Sequence, residues 1–332
     1  MKQILLIFIF IISSIMNKNL QSQSFYNDSS PLVSTYSIVA RDSVTGEIGV
    51  AVQSHWFNVG ADVGWGEAGI GVIATQSFVN VSFGLRGLEL LKQGKSPQEV
   101  VDELISSDSG RDFRQLAVLD VKGRSASYTG KSCVPEAGNI AEENVSVQAN
   151  LMLNNTVWAA MLKTFKKSKG PLAERMLSAL EAAQNEKGDI RGMQSAAITV
   201  FRGESTGKSW EDKLIDLRVE DNPEPVKELK RLLQIYRAYE HMNNGDLAME
   251  KGDLDLALKE YSTAETMFPS NAEMKFWHAV MLANNKKVDE SLQIFKDVFA
   301  MDNNWAVLTP RLRKVGLLNV SDNEMERILS VK

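Results

Sequence analysis

The chain has one cysteine and three histidines in 332 residues. A lone Cys133 cannot close an intramolecular disulfide, so stability has to come from packing. His55, His241 and His278 lie far apart, and none sits in an HExxH or a Cys-His spacing, so no metal site and no cofactor are expected. No GxSxG elbow is present to support a serine triad. Positive charge is not in excess: the formal net charge is -5 and the basic clusters, such as 163–169, are short, which leaves no footprint for nucleic acid. The one sustained apolar run, 4–16, falls short of the about 20 residues that span a bilayer. The glycines of "VGWGEAGIGV" alternate through a strand instead of opening a helix, which suits close sheet packing better than a phosphate loop.

What is present is enough apolar residue, 44%, for a sizeable core, and enough length for two domains. The amino terminus, "MKQILLIFIFIISSIMNKNLQSQSF", combines Lys2, the apolar run and the small residues Ser22 and Ser24. This reads as a signal peptide over 1–24, cleaved after Ser24, and implies export to the periplasm or the outside. An uncleaved membrane anchor is the other reading of the same run. No cysteine follows it, so a lipoprotein attachment is not supported.

Between Thr35 and Ser77 the text alternates strand-like and glycine-rich segments, with Tyr36, Ile38 and Ala40 on one face and a turn at Gly46 before Ile48, Val50 and Val52. Helices are expected near 83–93 and from "SPQE", where Ser96 caps, Pro97 suits the first turn and Glu99 completes a capping box. "RQLAVLDV" and "RSASYTG" form a hairpin around Lys122-Gly123, and "VSVQANLML" is a further strand. Helices follow at 155–167 and 171–186, then strands at "QSAAITVFRG" and "LIDLRVED". Strands and paired helices in this order suit two stacked antiparallel sheets with helices outside, an α+β four-layer αββα sandwich, better than a parallel doubly wound sheet. Pro223 and Pro225 mark a linker at 219–226, dividing a sandwich domain over 35–222 from an all-α region over 223–332.

That region repeats. Gly245, Ala248, Gly252, Ala257, Tyr261, Ala264 and Pro269 fall at tetratricopeptide-like spacings, and advancing by about 34 residues brings Ala279, Ser291 and Phe295 opposite Gly245, Ala257 and Tyr261. Two repeats, roughly 238–271 and 272–305, are fewer than the about three needed for independent stability, so they should lean on flanking structure. Such arrays bind peptides or partner proteins.

"TYSIVARDSVTGEIGVAVQSHWFNVG", "GVIATQSFVN", "YTGKSCVPEAG", "VQANLM", "GDIRGMQSAAITV" and "IDLRVEDNPEPVKELKRLL" together resemble the domain-of-unknown-function 1028 family over nearly all of 35–233. That family is regarded as similar to the N-terminal nucleophile hydrolases, so the resemblance implies the same αββα sandwich. It further implies that Thr35, at the matching position, is the candidate nucleophile, with its own α-amine as the base once cleavage at Ser34-Thr35 frees it. An α-amine titrates near about pH 8 and can accept a proton at neutral pH. The resemblance breaks where proteasome-like members place a lysine, since none occurs between Thr35 and Lys92. An ordinary β-branched strand residue is the alternative for Thr35.

A Ser54-His55 pair is a second catalytic candidate. Asp42, Gln76, Arg191 and Ser195, at strand ends inside the matching segments, are candidates for a cleft that binds an amide or an acidic small molecule. Asp42 also reads as a turn former and Arg191 as a surface group. Three functions stay open: an exported amide hydrolase, a silent sandwich binding a cell-wall or peptide fragment with repeats recruiting a protein, and a scaffold for the repeats alone.

Overall fold

The computed structural model describes residues 32, 33 and 35–332. The expected leader, residues 1–24, lies outside them. The chain divides into two compact units, Met1–Leu229 and Lys230–Lys332.

The first unit holds two antiparallel sheets. One contains β1 (Leu32–Val33), β4 (Gly64–Glu67), β5 (Gly71–Phe78), β6 (Arg114–Asp120) and β7 (Ser125–Thr129), ordered β1-β5-β6-β7 with β4 also on β5. The other is ordered β11-β10-β3-β2-β9-β8, with β2 at Thr35–Arg41, β3 at Ile48–Ser54, β8 at Gly138–Glu142, β9 at Val145–Ala149, β10 at Ser195–Phe201 and β11 at Lys213–Val219. Alternation along the strands divides their faces. Val39, Val50, Val52, Val72, Ala74, Ala117 and Leu119 meet in one buried cluster between the sheets.

The helices α2 (Ser82–Lys92) and α3 (Pro97–Ser106) pack on β5, β6 and β7, burying Phe83, Val100 and Leu104 against Ile73, Leu116 and Val118. The capping box of α3 is formed as expected, with Ser96 and Glu99 each accepting the other's backbone N–H. On the other sheet, α4 (Val157–Lys167) contacts β8 and β9, and α5 (Leu172–Asn185) contacts β2, β3 and β10. At Gly49 a Cβ would stand 2.6 Å from Met176 Cε and 3.0 Å from the Thr199 carbonyl oxygen, so the glycine lets Met176 lie directly on the strand. Two short helices, α1 (Val59–Asp62) and α6 (Ser209–Asp212), sit in connections.

The structure differs from the sequence reading in two strands. The glycine-rich stretch is a hairpin of β4 and β5, turned at Gly69 with φ +76°, and β8 pairs beside β9 where alternation in "GNIAE" was too weak to mark it.

The unit boundary falls within α7 (Pro225–Glu250). The second unit continues as α8 (Leu254–Met267), α9 (Ala272–Asn284), α10 (Val288–Met301), α11 (Asn304–Lys314) and α12 (Asp322–Ser330). The small and aromatic residues aligned by the repeat period, Ala248, Ala257, Tyr261, Ala264, Ala279, Ser291 and Phe295, are all buried. Phe276 and Phe295 pack edge to face at 5.9 Å.

Candidate functional site

β2 begins at Thr35, β3 ends at Ser54 and β10 begins at Ser195, and the register sets Thr35 opposite Ser54 and Ser54 opposite Ser195. Residues directly opposite across antiparallel strands share a face, so these three hydroxyl side chains form one row. The face is the one turned to the other sheet: Ser37, two residues along β2, donates to Gln76 Oε1 on β5 at 2.6 Å. Asn150, just past β9, extends the row on the far side of Thr35. Thr35, Ser54, Gln76, Asn150 and Ser195 are all buried.

The Thr35 carbonyl is held by three N–H groups. It accepts from the Asn150 backbone N–H at 3.0 Å, from Gln76 Nε2 at 3.2 Å and from Asn150 Nδ2 at 3.5 Å. Gln76 and Asn150 also donate to Gln115 Oε1, at 2.7 and 2.9 Å, and Gln115 Nε2 reaches the Ala149 carbonyl at 2.9 Å. Gln148 Nε2 completes the circuit by donating to Ser37 Oγ at 2.6 Å. Neutral amides therefore bridge the sheets at this end, where the other end is bridged by valines. Such groups orient and donate without titrating. Each clamping residue is followed by a buried non-glycine in the left-handed region, Ser77 at φ +70° and Leu151 at φ +59°, a conformation costing about 1–2 kcal/mol per residue.

The remaining candidates have other duties. Ser195 Oγ donates to the Trp56 carbonyl at 2.6 Å and accepts from the Val59 N–H at 3.0 Å, which ties the loop after β3 to β10. The Ser54-His55 pair is not aligned by the strand, since Ser54 is the last residue of β3 and His55 lies in the bend beyond it. The His55 backbone N–H instead points at Asp189 Oδ2, at 3.5 Å. Asp189 is buried, and the Arg191 guanidinium turns onto it at 3.1 Å through Nε and 2.8 Å through Nη2. Asp42 is not with this group. It lies past the opposite end of β2, accepting from Val44 and Thr45 N–H at 2.8 and 2.9 Å and from Arg175 Nη1 at 3.0 Å.

On the helix-facing side of the same strands, Tyr36 donates to Gln184 Oε1 at 3.1 Å, and burial, reinforced by the Asp189 charge, pushes its phenol far above the usual range. Gln53, opposite Tyr36, is fully buried with neither amide atom hydrogen-bonded. Sequence reasoning missed Gln115, Gln148 and Asn150, and assigned no role to Gln53. The available signal was parity, since each is a polar residue at a strand position whose alternation assigns it to the interior. Among the described residues no cluster of His, Cys, Asp or Glu is disposed to hold a metal, and no helix is long and apolar enough to cross a membrane.

The family model described as "Family of unknown function (DUF1028)" matches residues 35–229. The crystal structure of protein SPO2555 from Silicibacter pomeroyi, carrying the same family model, is similar with a TM-score of 0.55 and 31% identity, covering 60% of this chain and 88% of that one. Anbu (ancestral beta-subunit) from Yersinia bercovieri matches with a TM-score of 0.31 and 13% identity over 59% of this chain and 92% of its own. No curated protein matches the chain.

Proposed function

This chain belongs to the DUF1028 family, and from that premise we propose that its first unit is an αββα sandwich of the N-terminal nucleophile hydrolase kind, acting on amide bonds through Thr35. The observation that carries the reading is the Thr35 carbonyl, fixed by three N–H groups at the head of a buried hydroxyl row. A residue held this way has its backbone and Cβ fixed in one place, a start on the positioning that attack requires. After cleavage of the Ser34-Thr35 bond, the new α-amine takes the hydroxyl proton while Oγ1 adds to the substrate carbonyl. The α-ammonium passes that proton to the substrate's amine as the amide C–N bond breaks and the amine leaves, and water then hydrolyses the ester. The packing of α2 and α3 on one sheet and α4 and α5 on the other supports the four-layer reading.

A second reading, a ligand-binding sandwich without catalysis, is favoured by two observations. Thr35 is fully buried in the uncleaved chain, with Leu32 and Val33 just before it paired to Phe78 and Ser77. The groups described around its carbonyl are amides and hydroxyls, none of them a base at neutral pH. In both readings the protein is exported, and the second unit is a tetratricopeptide-like array that recruits a protein or peptide. The small residues buried at the repeat positions support the array.

Intact mass and amino-terminal sequencing of the protein from its native exported fraction separate the two. A chain beginning at Thr35, with turnover of amide substrates that Thr35→Ala abolishes, is the result expected for the hydrolase. A chain beginning near Phe25 and inert towards amides rejects it.

A further inference from the structure

The two edges of β5 are covered differently. One edge is paired with β6 throughout, from Gly71 opposite Asp120 to Ser77 opposite Arg114. Along the other, β4 covers Gly71 to Ala74, and the Val63 carbonyl then accepts the Thr75 N–H at 3.0 Å. From Ser77 onward the cover among the described residues is β1, with Val33 opposite Ser77 and Leu32 opposite Phe78. The end of this edge is thus closed by a piece of the segment that precedes Thr35.

The edge under β1 is held from behind. The Phe78 carbonyl accepts from Arg114 Nη1 at 2.5 Å, Arg114 rests on Asp108 at 2.6 Å, and the Phe78 ring packs edge to face on Phe113 at 5.5 Å. Gln76, next to Ser77, donates to the Thr35 carbonyl, so one side chain ties this edge to the head of β2. From the place opposite Ser77 the chain reaches Thr35 in two residues, at most about 7 Å of extended backbone. A peptide lying where β1 lies therefore delivers the carbonyl of its next residue beside Thr35.

Hydrolysis of the Ser34-Thr35 bond separates β1 from β2. Two residue pairs are then all that the register gives β1 on β5, and so short a pairing is marginal in water. Its departure leaves the N–H and C=O groups at the end of β5 as a template for another extended chain. Building on the reading of Thr35 as the nucleophile, we propose that this edge is the acyl-side subsite: the substrate is an extended peptide that adds a strand to β5 in the place of Leu32 and Val33, with an apolar residue third before the bond that is cut. That residue stands opposite Phe78, and directly opposed residues interact, so an apolar side chain suits the ring. The chain's own Leu-Val-Ser is the pattern for such a substrate.

The test uses the chain that begins at Thr35, whether processed naturally or released from a cleavable amino-terminal fusion. Its substrates are acetyl-Leu-Val-Ser-aminomethylcoumarin, the Asp-Val-Ser counterpart, and a Leu-Val-Ser form methylated on the Leu and Val nitrogens, which removes the strand N–H groups. The first is expected to exceed each of the others in kcat/KM by at least about tenfold, and Phe78→Ala should shrink the advantage of Leu over Asp. Dye-labelled Leu-Val-Ser acid should bind the Thr35→Ala chain, with the methylated acid failing to displace it. The methylated peptides need no variant, so they decide the matter even if Phe78→Ala folds poorly. Turnover that Thr35→Ala abolishes but that ignores both the third residue and methylation overturns this proposal while the nucleophile stands. Methylation-sensitive binding without turnover of any amide rejects the nucleophile and, with it, the acyl-side role. Neither binding nor turnover overturns both.

Discussion

Asn150 holds the Thr35 carbonyl twice, through its backbone N–H at 3.0 Å and its side-chain amide at 3.5 Å, and the same amide reaches Gln115 Oε1 at 2.9 Å. Replacing it by Leu keeps the side-chain branching but removes one of three donors to the Thr35 carbonyl and one of two to Gln115 Oε1, and it also removes Asn150 Oδ1, which is buried without a partner. Neither oxygen is left without a donor, so Asn150→Leu should lower the unfolding free energy by the net worth of a hydrogen bond, about 0.5–1.5 kcal/mol. Urea unfolding of the two chains measures it, and a loss below about 0.5 kcal/mol would show that the amide bridge between the sheets contributes little.

Gln53 makes the opposite case. It is fully buried beside Tyr36 and Ala196, with both amide atoms unpartnered. Methionine has nearly the same length, is unbranched and flexible, and carries no strong hydrogen-bonding atom, so Gln53→Met should stabilise the protein by about 1–2 kcal/mol. The measurement is the shift in thermal midpoint at neutral pH, and a destabilised variant would mean that the amide has a partner in solution.

Asp42 should make stability depend on acid pH. Burial alone would raise its carboxyl, but the Thr45 and Val44 N–H groups and the Arg175 guanidinium outweigh that and hold it below the usual carboxylate range. A group with a depressed folded value contributes stability above its unfolded value, near about 3.9, and loses that contribution as pH falls through the folded one. Asp42→Asn should therefore cost about 1–2 kcal/mol at pH 7, with the gap to the unsubstituted chain closing below about pH 4. A gap constant from pH 7 to pH 3 contradicts this.

The sequence carried the architecture better than the site. The capping box at Ser96, the hairpin at Gly46 and the alternation from Thr35 to Ser54 are local signals, and each produced the element it implied. The site depends on register, which no local signal fixes: Thr35, Ser54 and Ser195 become neighbours only because three strands align end to end. Asp42 and Gln76 lie in matching segments of one domain, yet β2 runs in between and puts Asp42 beyond its far end. The amide network was concealed for a further reason. Glutamine and asparagine are ordinarily surface residues, so residue type alone did not mark Gln115, Gln148 and Asn150 as a buried network, although alternation put them on the inner face.

Gly245 on α7 supports a last prediction, in which two effects of opposite sign compete. Alanine has a helix propensity about 1 kcal/mol better than glycine, so at an exposed position the change would stabilise. Here a Cβ would stand 2.9 Å from the Tyr261 ring, inside the contact distance of two carbons. The ring cannot simply swing away, since it is buried and its hydroxyl donates to Asp246 Oδ1. Overpacking of this kind costs about 1–3 kcal/mol, enough to cancel or exceed the propensity gain. Gly245→Ala should therefore be neutral to destabilising by up to about 2 kcal/mol, and Tyr261→Phe, which frees the ring from Asp246, should recover part of the loss when the two are combined. A double-mutant cycle followed by helix ellipticity measures the coupling. An Ala variant more stable than the parent, or strict additivity with Tyr261→Phe, would mean that Gly245 and Tyr261 do not set the spacing of α7 and α8.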